Sequence, residues 1–96
     1  MREVEVDRRV HNVVWQHVEK AIYDEIFDRL FDGLENNYER WRKHRHPEDN
    51  RFFVHTVSLP DGGNWHTFEF LVDDTTADTH LFVDHVTYIP GKTGIV

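Results

Sequence analysis

The sequence predicts an α+β fold in which one long helix and one short helix pack against an antiparallel sheet. Apolar residues recur at every fourth position between residues 10 and 34, which is typical of an amphipathic helix. Three strand-like segments follow residue 50, and turn-forming sequences separate them. With 96 residues, 39% of them hydrophobic, the chain suits a single domain, 1–96, with one modest core.

A short strand is predicted at the N-terminus. Val4 and Val6 alternate with Glu3 and Glu5, which is the period-two pattern of a half-exposed strand. Asp7 follows this strand and is a suitable N-cap for a helix.

One long helix is predicted from about residue 10 to residue 34. Its apolar stripe consists of Val10, Val14, Val18, Ile22, Ile26, Leu30 and Leu34. Gly33, Asn36 and Asn37 are stop signals, so we expect a break between residues 33 and 37. The segment YERWRKHR, residues 38–45, predicts a second, short helix that ends before Pro47.

The remaining sequence predicts a three-stranded antiparallel meander packed on the helices. Its strands are RFFVHTVSL (51–59), WHTFEFLVD (65–73) and THLFVDHVTYI (79–89), joined by the turns PDGGN and DTTAD. Strict alternation along the third strand places His85 on the same face as Leu81 and Val83. Residues 90–96 are expected to form a loose tail.

The charge is unevenly distributed. The chain has a net charge of −7, yet residues 40–51, here called the basic tract, carry five cations and two carboxylates and sum to +3. The charges of the other residues therefore sum to −10. An uneven charge distribution creates local electrostatic potentials, and these determine which charged ligands are attracted. The sequence contains no cysteine and no apolar run long enough to span a membrane, so we expect a cytoplasmic protein with no membrane association.

The order strand, helical hairpin, antiparallel strands resembles the RelE/ParE-like toxin superfamily of toxin–antitoxin systems. The closing segment FEFLVDDTTADTHLFVDHVTYIPG is similar to the final hairpin of that superfamily, in which an aromatic-rich strand turns over acidic residues into a strand that carries a histidine. The resemblance implies a small toxin bound by a protein antitoxin, with RNA on the ribosome or DNA gyrase as its target and no cofactor.

The resemblance also implies site residues. The final-strand histidine of RelE-like nucleases matches His85, and Glu69 on the preceding strand is the candidate base, with His55 and His66 as further candidates on the adjacent strands. We expect a catalytic set of His85, Glu69 and Arg51, and a nucleic-acid-binding set of Trp41, Arg42, Lys43 and Arg45. The alternative for the basic tract is that its cations pair with neighbouring carboxylates.

Two departures from the family pattern point to weak or absent nuclease activity. Ribosome-targeting members are strongly basic, because phosphate contacts dominate affinity for RNA, whereas this chain is acidic. The polar or basic pair that follows the final-strand histidine in the family is Val86–Thr87 here. The sequence therefore predicts a toxin-like protein that acts mainly through protein contacts, with an antitoxin or another protein as partner.

An acidic, non-enzymatic inhibitor that imitates nucleic acid is the alternative interpretation. Asp24, Asp28 and Asp32 follow one another at i, i+4 spacing on the polar side of the long helix, where they would attract a basic partner. No metal site is predicted, because His44 and His46 are spaced so that their side chains point apart on a helix. An oligomer is compatible with either interpretation.

Overall fold

The computed structural model describes residues 3–91. The elements in chain order are β1 (Glu3–Val6), α1 (Arg8–His17), α2 (Lys20–Asn36), α3 (Tyr38–Trp41), β2 (Arg45–His46), β3 (Asp49–Asp61), β4 (Asn64–Asp73) and β5 (His80–Pro90). The protein is an α+β fold, but the predicted three-stranded antiparallel meander is wrong. The sheet has five strands in the order β1-β5-β4-β3-β2 and is mixed, because β1 runs parallel to β5.

The two additional strands lie at the edges of the sheet. Val4 and Val6 are aligned with Leu81 and Val83 of β5, so the alternation read from the sequence is preserved in the register. β2 pairs with β3 through an irregular register. Sequence reasoning missed both pairings, since the pattern of one strand contains no information about which distant strand lies beside it.

The single long helix predicted from residue 10 to residue 34 is also wrong, because the chain leaves helical geometry at Val18 and Glu19, which both have extended backbone angles. The physical reason lies in the four-residue repeat. An α-helix has 3.6 residues per turn, so side chains four positions apart drift by about 40° per repeat, and one straight helix would carry the stripe around its circumference. The break between α1 and α2 lets the second helix start with a new rotation about its axis. The apolar side of each helix then faces the core.

The predicted second helix is shorter than expected. α3 ends at Trp41, and the tract predicted to be helical as far as residue 45 instead turns into β2. The backbone amide of Val54 in β3 donates to the carbonyl of His44, so the edge of β3 draws this segment into the sheet. Local propensity favours a helix here, and pairing with an open strand edge overrides it.

The helices pack against one face of the sheet, where they form the core. Its buried apolar residues are Val10, Val14, Ile26, Phe27, Leu30, Leu34, Tyr38, Phe53, Val57, Leu59, Phe68, Phe70, Val72, Leu81, Val83 and Val86. The opposite face holds alternate side chains such as Val54, Glu69 and Leu71, which are only half-buried, and no helix of residues 3–91 lies over them. No helix in this range is long and apolar enough to cross a membrane.

The predicted turn between β3 and β4 is confirmed. Asp61 pairs with Asn64 across a two-residue loop, and Gly62 adopts a φ of 62°, a conformation that glycine enters without steric cost. β5 continues to Pro90, and the part of the predicted loose tail from residue 92 onward lies outside the described residues.

α2 approaches β3 very closely at Gly33. A Cβ atom at this position would overlap Cε1 of His55, so only glycine allows the imidazole to lie directly under the helix. His55 is 3% exposed and packs edge-on against Trp41, with ring centroids 4.7 Å apart. Its Nδ1 atom has no hydrogen-bond partner among residues 3–91. Burial lowers the pKa of His55 from 6.5 to about 4.

His55 should make the protein sensitive to mild acid. In the unfolded chain the imidazole takes up a proton near pH 6.5, whereas in the folded protein it does so only near pH 4. Between these values the unfolded state binds more protons, so we expect the free energy of unfolding to fall by about 2 kcal/mol between pH 7 and pH 5. Urea denaturation at the two pH values measures this change.

The matched control for this prediction is His55→Leu, which removes the titrating group and keeps an apolar side chain of similar size. We expect the variant to lose most of the pH dependence of the unfolding free energy in this interval. An equal loss of stability in both proteins would show that other groups cause it.

Candidate functional site

Two of the predicted catalytic residues share a pocket on the open face of the sheet. Glu69 of β4 and His85 of β5 line a cavity of about 150 Å³, together with His46 of β2 and Thr87. Val54, Phe70 and Leu71 complete its walls. We call this cavity the His85 pocket. The structure brings together residues from four strands there, β2, β3, β4 and β5, and His46 lies one residue beyond the helix predicted over residues 38–45.

An irregularity in β5 places His85 on this face. Leu71 of β4 is paired with His85, whereas the next residue, Val72, is paired with Val83, so Asp84 is an extra residue in β5. As a result, Val83 and Val86 both face the helices although they are three positions apart. The predicted sharing of a face by His85 and Val83 is therefore wrong, because strict alternation does not hold across a bulge.

The His85 pocket contains an acid–base set without a permanent cation. Cleavage of RNA requires a base that takes a proton from the ribose hydroxyl and an acid that gives one to the leaving oxygen. A carboxylate and two imidazoles are groups of this kind. No arginine or lysine of residues 3–91 lines the pocket, so this part of the chain supplies no permanent cation for the negative charge that builds up on a transferred phosphoryl group. The arrangement can exchange protons with a bound ligand, and it stabilises an anion only when a histidine is protonated.

Arg42, Arg45 and Arg51 line a different and larger cavity, of about 500 Å³, where α3, β3 and the turn after β4 meet. We call it the arginine cavity. Arg45 is the arginine held most firmly. Its two terminal nitrogens donate to the two carboxylate oxygens of Asp74 at 2.6 and 2.7 Å, and the hydroxyl of Tyr38 donates to the same carboxylate at 3.0 Å.

Asp74 is the buried partner in this network, with a side chain that is 6% exposed. Burial by itself would raise the pKa of the Asp74 carboxyl, but the hydrogen bonds from Arg45 and Tyr38 outweigh that effect and lower it. The carboxylate is therefore charged at neutral pH and accepts hydrogen bonds from both terminal nitrogens of the Arg45 guanidinium group. Arg45 thus serves to join β2 to the turn between β4 and β5.

The other arginines of the two predicted sets also have acidic partners. Arg51 donates to Asp49 at 2.8 Å, and Arg42 donates to Glu39 at 3.3 Å. Both pairs lie on the surface, where such contacts are weak and exchangeable. Lys43 is exposed and lines neither cavity.

Trp41 is half-buried and packs beside the buried His55. The pairing alternative considered for the basic tract thus has direct support at three arginines. A role of these residues in binding nucleic acid stays a prediction.

A hydrogen-bonded set on the helix-facing side was not found from the sequence. The ring of His66 contacts the hydroxyl of Tyr88 through Nδ1 at 2.8 Å and the carboxylate of Asp61 through Nε2 at 3.1 Å. His17 stacks on Tyr88 with ring centroids 4.0 Å apart. These contacts tie the end of α1 to the sheet. The predicted hairpin of β3 and β4 indicates that His66 and Asp61 lie close together. It does not indicate the contact of His66 with Tyr88.

One group of residues has the donor atoms to hold a metal ion. The carboxylates of Glu3 and Glu5 and the imidazole of His80 have ligand atoms within 4.8 Å of one another, at the edge formed by β1 and β5. His80 already contacts Glu3 at 2.8 Å. Two carboxylates and one imidazole suit a divalent transition metal, but the contact of His80 with Glu3 and the exposure of both glutamates account for the arrangement without one.

The chain was compared with models of protein families, with curated proteins and with solved structures, and no match was found in any of the three comparisons. The interpretation of the site therefore depends on its geometry and chemistry.

The Arg45–Asp74 pair should be a structural interaction, so removal of the arginine should unfold the protein more easily. Arg45→Ala leaves the buried carboxylate of Asp74 without its main partner, and we expect the free energy of unfolding to fall by about 2 kcal/mol at neutral pH. Urea denaturation measures this loss. Arg51→Ala is the control, because the Arg51–Asp49 pair is exposed and its removal should leave the midpoint almost unchanged. Equal midpoints for the two variants would contradict a structural role for Arg45.

Proposed function

We propose that this chain is a toxin-like member of a toxin–antitoxin pair with RelE/ParE-like architecture, and that it acts mainly by contacts with other proteins. The observation that carries the proposal is an exposed aromatic surface on the helices. Trp15 of α1 is 56% exposed and Phe31 of α2 is 38% exposed, and they are the exposed large hydrophobic residues in the described part of the chain. Exposed aromatic side chains of this kind mark surfaces that bind proteins.

The order of elements supports the family proposal. A short strand precedes a helical hairpin, and long antiparallel strands follow it, as in the sequence pattern from which the resemblance was drawn. An antitoxin would be the natural protein partner of such a chain. RNA on the ribosome and DNA gyrase are the proposed targets.

Weak or absent RNA cleavage belongs to the same proposal. Glu69 and His85 could act as base and acid in the His85 pocket, yet no arginine or lysine in the described part of the chain lines it. Arg45, expected to hold phosphate, is held by Asp74. Without a cation at the transferred phosphoryl group, proton transfer alone gives only a small part of the acceleration that nucleases need.

A growth experiment tests this proposal. Induced expression of the wild-type chain alone should arrest growth, and Trp15→Ala combined with Phe31→Ala should relieve the arrest because it removes the protein-binding surface. Glu48→Gln, at an exposed position remote in sequence from both helices, is the control and should arrest growth like the wild type. Circular dichroism establishes that each variant is folded.

Two outcomes would contradict the proposal. Absence of arrest by the wild-type chain would exclude a toxin-like function. Complete relief by His85→Ala combined with Glu69→Gln, with the Trp15 and Phe31 variant still toxic, would make RNA cleavage in the His85 pocket the cause.

A non-enzymatic inhibitor that imitates nucleic acid is the second candidate, and a row of carboxylates favours it. Asp24, Asp28 and Asp32 are all exposed on α2. Successive members lie about 6 Å apart along the helix axis, which gives a regular line of negative charge comparable to a phosphate backbone. Lys20 and Asn36 bind the two ends of this row, at Asp24 and Asp32.

The second candidate predicts competition with DNA. The wild-type chain should displace a labelled DNA duplex from a lysine-rich linker histone, and the combined variant Asp24→Asn, Asp28→Asn, Asp32→Asn should do so much less effectively. Fluorescence anisotropy of the duplex measures the displacement.

The matched control for this experiment removes three exposed carboxylates elsewhere, by Glu5→Gln, Glu48→Gln and Asp78→Asn, so that both variants have the same net charge. Equal weakening by the two variants would show that overall charge, and not the row on α2, causes displacement.

A further inference from the structure

Four aromatic side chains of α1 and α2 form a continuous row of ring contacts whose two ends are exposed. Trp15 contacts Tyr23 edge-on at a centroid distance of 5.3 Å, Tyr23 lies 4.8 Å from Phe27, and Phe27 lies 6.1 Å from Phe31. We call these four residues the aromatic ridge. Phe27 is buried in the core, whereas the two ends of the ridge project into solvent. Phe27 thus connects the ridge to the core, between the exposed side chains of Trp15 and Phe31.

Carboxylates flank the end of the ridge at Phe31. Asp28 lies three positions before Phe31 in α2, and Glu35 lies four positions after it, so both side chains are its neighbours on the helix surface. Neither has an ion-pair partner among residues 3–91. Both cations of α2 are bound to carboxylates of the same helix, Lys20 to Asp24 at 2.8 Å and Arg29 to Glu25 at 3.0 Å. The surface therefore combines apolar anchors with uncompensated negative charge.

We propose that this surface binds a basic amphipathic helix of a partner protein. This inference rests on the proposed function through protein contacts and gives the partner its chemistry. Apolar side chains of the partner helix cover Trp15 and Phe31, and its lysine or arginine residues face Asp28 and Glu35.

The partner segment is helical because of what the surface offers. The backbone groups of α1 and α2 are bonded within the helices, so an extended peptide would find no backbone partners there. A helix satisfies its own backbone groups and presents side chains at i, i+3 and i+4, the spacing that matches a ridge across two helices.

The charge of the surface excludes three other occupants. A two-fold contact between copies of this chain would bring Asp28 and Glu35 against the same carboxylates, which repel each other. Nucleic acid and anionic lipid surfaces carry the same sign of charge as the flanking carboxylates. A basic polypeptide is the occupant that the charge favours.

A pair of synthetic peptides tests the proposal on the intact chain. The probe is a labelled helical peptide of about 18 residues, long enough to form a helix when bound, built from leucine on one face and lysine on the other. The reference peptide has glutamate in place of lysine. We expect the lysine peptide to bind, by fluorescence anisotropy, and the glutamate peptide not to bind.

Two variants locate the binding surface. Trp15→Ala with Phe31→Ala, and separately Asp28→Asn with Glu35→Gln, should each weaken binding of the lysine peptide by about tenfold or more. The second variant should also reduce the dependence of binding on salt concentration. Because Asp28 and Glu35 are exposed, this variant remains informative even if the aromatic variant fails to fold.

The charge-matched control is Glu5→Gln with Glu48→Gln, which lies outside the hairpin and should change binding by less than about twofold. Failure of the wild-type chain to bind the lysine peptide, binding of the glutamate peptide, or equal weakening by the control variant would each overturn the proposal. Growth arrest without peptide binding would overturn this inference alone. Peptide binding without arrest would overturn only the toxin-like function.

Discussion

The packing of all three helices against one face of the sheet determines most features of this protein. It concentrates the apolar side chains of β3, β4 and β5 on the covered face, where burial contributes roughly 25 cal/mol per Å² of apolar surface removed from water. It also requires His55 to lie under α2, which only Gly33 permits. The uncovered face then keeps the polar side chains, and the His85 pocket forms there because no helix fills it.

The electrostatics of the protein follow from pairing within the chain. The basic tract looks like an anion-binding segment in the sequence, yet Arg45 lies against the buried Asp74, and Arg42 and Arg51 have acidic partners on the surface. On α2, Asp28 and Glu35 have no ion-pair partner among residues 3–91, and they lie beside the exposed Phe31. This distribution is the reason for proposing a basic polypeptide, and not a nucleic acid, as the partner.

Part of the site was accessible from the sequence, and part was not. Glu69 and His85 were identified as a pair, and they do share a pocket. The orientation of His85 was not predictable, because it depends on the extra residue Asp84, and nothing in the local alternation of β5 signals a bulge. His46 was missed because the sequence does not show that the segment after α3 pairs with β3, and Asp74 was missed because its partner lies 29 positions away.

The α+β class, the approximate positions of the three long strands, a turn at PDGGN and the acidic face of the long helix were all predictable from the sequence. These features depend on periodicity, turn chemistry and composition, which act between near neighbours. The tertiary structure alone decided that β1 pairs with β5, that the helix breaks at Val18, and that Arg45 is held by Asp74. Each of these outcomes depends on which distant segments come into contact, and the pattern of residues along the chain does not contain that information.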